Sequence, residues 1–366
     1  MTMYLLMMAL AAIVSFAATS GARRVALRYN VSTPIRARDV HSDLVPRLGG
    51  VGIFAGFVVA LLVASKSYFV SEIFKDTFAP WGILIGAAIV MAVGVVDDVV
   101  DLRWWVKLLG QIAAALAVAL WGVRLTVIPF VPAPIAVSSR VVQILLTVFL
   151  ILVTINAINF VDGLDGLAAG VAAIGGAAFF ICSYWVHRNA LLPNYSDLAT
   201  LLMALLVGAC LGFLPHNAHP AKIFMGDSGA MLIGLLMASG GIVASGQIFS
   251  GLYNRANGLP SFMPVVLPIA ILVVPLLDLG LAVLRRTAAG RSPFSADRGH
   301  LHHKLLDLGF SHRAAVLMMY LWTFVLAFGG IAYAFFPWRI VSVVLGAAIA
   351  AVVVLTLRPY LRQLKR

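Results

Sequence analysis

The 366 residues are 62% hydrophobic and only 11% charged, against about 25% charged in an ordinary soluble domain, and the mean hydropathy is +1.02. So much apolar surface excludes a water-soluble fold and makes lipid the solvent for most of the chain. The net charge of +12 would point to nucleic acid in a soluble protein. Here it fits loops that set topology and meet anionic headgroups, so nucleic acid is not an expected partner.

In lipid every backbone polar group must be satisfied internally, which leaves helices or closed barrels. The apolar runs are about 17–23 residues long and lack period-2 alternation, so they read as helices. The expectation is an all-α, polytopic membrane bundle in one domain over 1–366. About eleven spans are expected, near 3–22, 48–65, 80–96, 106–122, 141–158, 164–186, 198–215, 229–249, 263–284, 314–335 and 340–357. The first run has no basic n-region and no convincing cleavage site, so it reads as a span rather than a signal peptide. Cys182 and Cys210 lie inside apolar runs and read as small core residues.

Alternate loops divide Lys and Arg unequally. The segments 23–47, 97–107, 159–163, 216–228, 285–313 and 358–366 carry 19 of them, and the opposite set carries 7. The first set is therefore expected in the cytoplasm, with the N-terminus outside and the C-terminus inside. Eleven of the fourteen acids lie in or beside the same set, and only Glu72, Asp76 and Asp197 fall on the other side. The positive-inside rule says little about Asp. Acids that adjoin apolar helices are usually functional, so a site at the cytoplasmic face is the natural reading.

The polar constellations follow in chain order. Segment 34–52, P-I-R-A-R-D-V-H-S-D-L-V-P-R-L-G-G-V-G, is basic and then glycine-rich. Arg47 could meet a phosphate at the membrane surface, or the segment could be a topogenic loop only. The third span closes on V-V-D-D-V-V-D-L-R-W-W. If its helix continues, Asp97, Asp98 and Asp101 share a face, where like charges repel unless a cation or proton intervenes. Oxygen-only ligands favour Mg²⁺; the bland reading is a solvated helix end.

The fifth span ends N-A-I-N-F-V-D-G-L-D-G-L. Asn156, Asn159 and Asp162 recur every three residues as a polar stripe, and Asp165 sits between two glycines. These glycines predict a break whose free backbone N–H groups and following helix N-terminus suit a phosphate. An interhelical hydrogen-bond seam is the alternative. The loop P-H-N-A-H-P-A-K-I-F-M-G-D-S-G at 215–229 places Asp227 just before the eighth span. There it could hold a cation or merely cap a helix. Phe224 offers a stacking face, and Asn217 two donors and an acceptor. In the loop 285–313, Arg298, His300, His302 and His303 fall within six residues. No Cys and no H-E-x-x-H supports zinc there, and His beside Arg suits a diphosphate better. A solvated basic loop remains the alternative.

With these residues laid out, the chain resembles the polyprenyl-phosphate N-acetylhexosamine-1-phosphate transferases, closest to the WecA/TagO-like branch of the glycosyltransferase 4 and MraY superfamily. The matching pieces are P-R-L-G-G at 46–50, D-D-V-V-D at 97–101, N-A-I-N-F-V-D-G-L-D-G-L at 156–167, F-M-G-D-S-G at 224–229 and S-P-F-S-A-D-R-G-H-L-H-H at 292–303. They occur in family order, each on an inner segment. The resemblance implies a multi-pass protein of the bacterial plasma membrane. It would transfer N-acetylhexosamine-1-phosphate, foremost GlcNAc-1-phosphate, from a UDP-sugar to polyprenyl phosphate, releasing UMP. It implies Mg²⁺, with Mn²⁺ as a substitute, held by Asp227 with Asp97 and Asp98 beside it, and Asp98 as base or orienting group. Asn159, Asp162 and Asp165 would contact the nucleotide with Asn217 and Phe224, next to Asn156 and Asp101. Arg298, His300, His302 and His303 would contact the sugar or diphosphate, and Arg47 the lipid phosphate. The expected partners are the UDP-N-acetylhexosamine, the polyprenyl phosphate and membrane lipids, with a homodimer as a possible assembly.

Three other functions compete. A MraY-type phospho-MurNAc-pentapeptide translocase would carry H-H-H followed by an acid and D-D-x-x-K, whereas this chain has D-R-G-H-L-H-H and Asp101. An intramembrane prenyltransferase would leave the histidines and F-M-G-D-S-G unexplained. A proton-coupled transporter should hold its acids near the midplane. Only Asp278, inside the ninth span, fits that, and it reads as a supporting residue.

Overall fold

The computed structural model describes residues 1–29, 45–128, 135–190, 196–252, 275–281, 283–285, 287–288, 290 and 301–363. Its helices are α1 (Thr2–Arg28), α2 (Gly49–Lys66), α3 (Glu72–Asp76), α4 (Ala79–Val100), α5 (Trp104–Leu120), α6 (Arg140–Val161), α7 (Leu167–Ala190), α8 (Ser196–Asn217), α9 (Gly226–Leu252), α10 (Leu301–Asp307), α11 (His312–Ala332) and α12 (Trp338–Gln363). Nine of these are long and apolar enough to cross a membrane, by length and composition. Helix α5 is apolar but has only 17 residues, a length of about 25 Å. Ten of the eleven expected spans thus coincide with helices. The expected span 263–284 lies mostly outside the described residues, with 275–281 helical.

Helix α9 is the centre of the bundle. It packs against α2, α4, α6, α7 and α8, and its spanning segment Gly226–Ser245 is 94% buried. Without a hydrophobic force between helices in lipid, association depends on close packing of small residues. Gly234 shows how: a Cβ there would stand 2.5 Å from the Ile155 Cα of α6. At the periphery, α12 packs chiefly on α11 and keeps only 11% of its spanning segment buried. Its Val343, Val344 and Val354 are exposed, as lipid-facing residues should be.

The short helices α3 and α10 and one strand pair were not among the expected elements. Val127–Ile128 (β1) pairs antiparallel with Ile135–Ala136 (β2) in the segment 123–140. The pair is anchored to α6, because Leu125 N donates to Thr147 Oγ1 at 2.8 Å and Gln143 Nε2 to Val137 O at 2.7 Å. Two-residue strands give too short a period-2 signal to stand out among prolines.

The C-terminal ends of α4, α6 and α8 and the N-terminal ends of α5, α7 and α9 all open on the same end of the bundle. This follows from short connections between antiparallel neighbours. The aspartates of 97–101, 162–165 and 227 are gathered there.

Replacing Gly234 with Ala should force α9 away from α6 and destabilise the protein by about 1–3 kcal/mol. Gly346→Ala in α12 meets nothing within 4 Å and should be neutral or slightly stabilising. Thermal unfolding of the detergent-solubilised variants measures the contrast.

Candidate active site

Helix α4 continues through its aspartates and ends at Val100, so Asp97 and Asp98 fall in its last turn. Both are buried, at 6% exposure each. Asp98 points at the start of α9. Its Oδ1 accepts from Asp227 N at 2.8 Å, and its Oδ2 accepts from Ser228 N at 3.2 Å and Ser228 Oγ at 2.7 Å. A carboxylate from one helix therefore satisfies the amides that a neighbouring helix leaves open at its N-terminus. Gly226 makes this approach possible. It has φ +74°, and a Cβ there would collide with Arg47 O and Asp98 Oδ2.

Helix α5 brings in Lys107. Its Nζ lies 2.6 Å from Asp97 Oδ2 and 2.8 Å from Asp227 Oδ2, bridging the two carboxylates. Asn159, in the last turn of α6, donates from Nδ2 to Asp227 Oδ1 at 3.2 Å. Leu102 N donates to Asp97 Oδ1 at 2.8 Å, fixing that side chain from its own turn. Four helices thus place Asp97, Asp98, Lys107, Asn159 and Asp227 in one cluster.

The connections around it are cross-tied. Phe224 N donates to Pro46 O, Gly49 N to Phe224 O and Gly50 N to Met225 O, all at 2.8–2.9 Å. P-R-L-G-G and F-M-G-D thereby run side by side as paired backbone. At the α6–α7 break, Gly166 has φ +77°. Its N–H donates to Asn217 Oδ1 at 2.9 Å, and its carbonyl accepts from Tyr320 Oη at 2.5 Å. Asn217 Nδ2 closes the other side on Ile223 O at 3.0 Å.

The sequence-derived candidates divide accordingly. Asp97, Asp98 and Asp227 converge, with one oxygen from each within 4.8 Å of the others. Asp101 does not join them. The helix ends one residue earlier, and Asp101 adopts a left-handed cap (φ 57°) that leaves it exposed. The Asn156–Asn159–Asp162 stripe splits: Asn156 turns to Gln111 Oε1 of α5 at 3.0 Å, an interhelical seam, while Asn159 reaches Asp227. Asn217 uses its amide to lock two loops. Asp165 is tied to His219, whose Nδ1 donates to its Oδ2 at 2.7 Å. Asp278 is fully buried and accepts from Leu301 N at 2.8 Å, capping the helix that carries His302 and His303. His300 and Arg298 lie outside the described residues, as does the side chain of His302. Lys107 was missed. Its signal was a lone ammonium in the first turns of an apolar helix, a costly placement that marks function as an intramembrane acid does.

Asp162 caps α6 at the rim of this cluster. Burial foremost, then the charges of Asp227 and Asp98, push its carboxyl up to about 7, and Arg47 acts in the opposite sense. A folded-state value above the unfolded one means that folding is penalised as pH rises towards 7, because ionisation adds a negative charge to an acidic cluster. The donor set fits a hard divalent cation. Three carboxylates face one ammonium, so a negative charge remains when all are ionised, and every oxygen is of the type Mg²⁺ prefers. All three carboxylates have both oxygens engaged. Asp97 and Asp227 each give one to the ammonium of Lys107, which a cation could displace, whereas Asp98 takes three bonds from the start of α9.

Comparison with known proteins gives the family of the chain. The profile of Glycosyl transferase family 4 matches residues 80–245, which include Asp97, Asp98, Lys107, Asn159 and Asp227. The chain is 41% identical over 355 residues to the decaprenyl-phosphate N-acetylglucosaminephosphotransferase of Mycolicibacterium smegmatis, covering 96% of this chain and 87% of the relative. It is 42% identical over 359 residues to the protein of the same name from Mycobacterium tuberculosis, covering 96% and 88%. To the undecaprenyl-phosphate alpha-N-acetylglucosaminyl 1-phosphate transferase of Yersinia pestis it is 29% identical over 312 residues, covering 85% and 79%. The chain belongs to glycosyl transferase family 4, as a multi-pass membrane member of its polyprenyl-phosphate GlcNAc-1-phosphate transferase branch.

Two outcomes follow from the geometry. Asp98→Ala removes three hydrogen bonds to the α9 start and should destabilise the protein by several kcal/mol at about 1–3 kcal/mol per orphaned partner. Asp98→Asn, which keeps one acceptor, should fall between it and the parent in thermal unfolding. Because Asp162 ionises near pH 7, Mg²⁺ affinity should rise from pH 6 to pH 8, and Asp162→Asn should flatten the rise in a calorimetric titration.

Proposed function

We propose that this chain transfers N-acetylglucosamine-1-phosphate from UDP-GlcNAc to a polyprenyl phosphate at the cytoplasmic membrane face. UMP is released, and the sugar diphosphate-lipid left behind starts a cell-envelope glycan. The observation that carries the reading is the Asp97–Lys107–Asp227 cluster at the end of four apolar helices, in a family whose named relatives perform this transfer. Decaprenyl phosphate is the first acceptor to consider, since it figures in the names of the mycobacterial relatives. Those names also favour GlcNAc over the MraY-type phospho-MurNAc-pentapeptide.

In the reaction, an oxygen of the lipid phosphate forms a bond to the β-phosphorus of UDP-GlcNAc. The bond from that phosphorus to the bridging oxygen breaks, and the electron pair leaves with UMP. No covalent work is required of the protein, so catalysis is positioning and electrostatics. Asp227 and Asp97 would hold Mg²⁺, which when bound offsets charge on the diphosphate. Lys107, already between the two carboxylates, supplies a fixed positive charge on the same face. Asp98 orients Asp227 through the α9 amides, a positioning role. Arg47, beside Asp162, is suited to the lipid phosphate arriving at the membrane surface. Asn159, Asp162, Asp165 and Phe224 border the nucleotide side, with Asn217 fixing the loop that carries Phe224. His303, with Arg298, His300 and His302, is assigned to the sugar and diphosphate.

Purified protein with Mg²⁺, UDP-GlcNAc and decaprenyl phosphate should release UMP. Asp227→Ala and Lys107→Met should each lower turnover by about 10²-fold or more, the scale of losing a preorganised charge. Undiminished turnover in Asp227→Ala would contradict the site assignment.

A further inference from the structure

A second cluster of ligand-type side chains lies apart from the three converging aspartates. Asp165 from the α6–α7 break, His219 from the α8–α9 connection and His312 from the first residue of α11 each offer a donor atom, and the three atoms lie within 4.8 Å of one another. The Asp165 side chain is fully enclosed, and that of His219 is 35% exposed. One oxygen of Asp165 takes two bonds: its Oδ2 accepts from His219 Nδ1 at 2.7 Å and from Ala221 N at 3.1 Å. The two imidazoles stack, with ring centroids 4.2 Å apart and planes 23° from parallel. His219 is fixed again at its backbone, where its carbonyl accepts from Arg313 Nη2 at 3.3 Å.

The donor chemistry differs from that of the aspartate cluster. Two imidazoles and one carboxylate are a borderline set, suited to Zn²⁺, Co²⁺, Ni²⁺ or Cu²⁺ rather than Mg²⁺. An imidazole oriented by a carboxylate is also a recurrent arrangement at such metals. Metal binding would displace the proton that His219 Nδ1 now shares with Asp165, and would place the two imidazoles and the carboxylate, already within 4.8 Å of one another, around one ion. The three ligands come from three connections at the same end of the bundle, so one ion would pin the α6–α7 break, the α8–α9 connection and α11 together.

We propose that Asp165, His219 and His312 form a site for a borderline transition-metal ion, Zn²⁺ foremost, separate from the Mg²⁺-type aspartate cluster. Its occupation clamps the three connections and engages Asp165. Binding and clamping are independent of whether the chain is a GlcNAc-1-phosphate transferase.

The test uses the full chain in detergent with excess Mg²⁺, dialysed against Zn²⁺ and analysed for bound metal. Wild type should retain about one zinc more per chain than the His219→Gln and His312→Gln variants. Each substitution should weaken that zinc by more than the 10–100-fold, roughly, that follows loss of an outer-shell partner. Zinc should also raise the thermal unfolding midpoint of wild type and leave both variants unmoved. His303→Gln, from the other histidine group, should keep the retained zinc. Equal zinc in wild type and the two variants, or zinc lost only with His303, would overturn the proposal.

Discussion

The Lys107 ammonium sits 2.6 Å from Asp97 and 2.8 Å from Asp227, and the arrangement of this end of the bundle depends on it. Three carboxylates packed among apolar helices would repel one another by several kcal/mol per pair at an effective dielectric near about 20. One ammonium bridging two of them, and the α9 amides meeting the third, let the four helices converge at all. The compensation is incomplete, which leaves a cluster that could hold a metal ion. Stability and chemistry share one electrostatic constraint.

That constraint explains the central position of α9. Its N-terminus is met by Asp98, its Asp227 by Lys107 and Asn159, and its body by small residues such as Gly234 against Ile155. The backbone pairing of Pro46–Gly50 with Phe224–Met225 then fixes how α2 approaches. A rigid core helix presenting its first turn to the surface allows preorganised charge to act on a phosphate without rearranging. The periphery, where α12 keeps valines exposed, lies apart from this cluster.

Much of the architecture was legible because lipid reduces the alternatives. Apolar runs of span length must be helices, and the 19 to 7 division of Lys and Arg set their alternation. The aspartates stood out for the same reason: a charge beside an apolar helix is expensive. What sequence could not supply was direction. Asp101 shares a nominal helical face with Asp97, yet the helix ends before it. Asn156 and Asn159 lie three residues apart, yet one turns to Gln111 and the other to Asp227. Lys107 sits on a different helix from its partners, so no local spacing joined it to them. Asp165 with His219 and His312 depends on three separate connections, and only the folded chain brings them together. The β1–β2 pair is too short to leave a pattern.

The central claim is that Asp97 and Asp227 share a cation site whose charge Lys107 partly fills. Titration of Mn²⁺ by electron paramagnetic resonance, with no competing transition metal present, tests it directly. Asp97→Asn and Asp227→Asn should each weaken binding, and Lys107→Met should tighten it, because removing the ammonium leaves the carboxylates more negative. Equal Mn²⁺ affinity in the parent and all three variants would contradict the account.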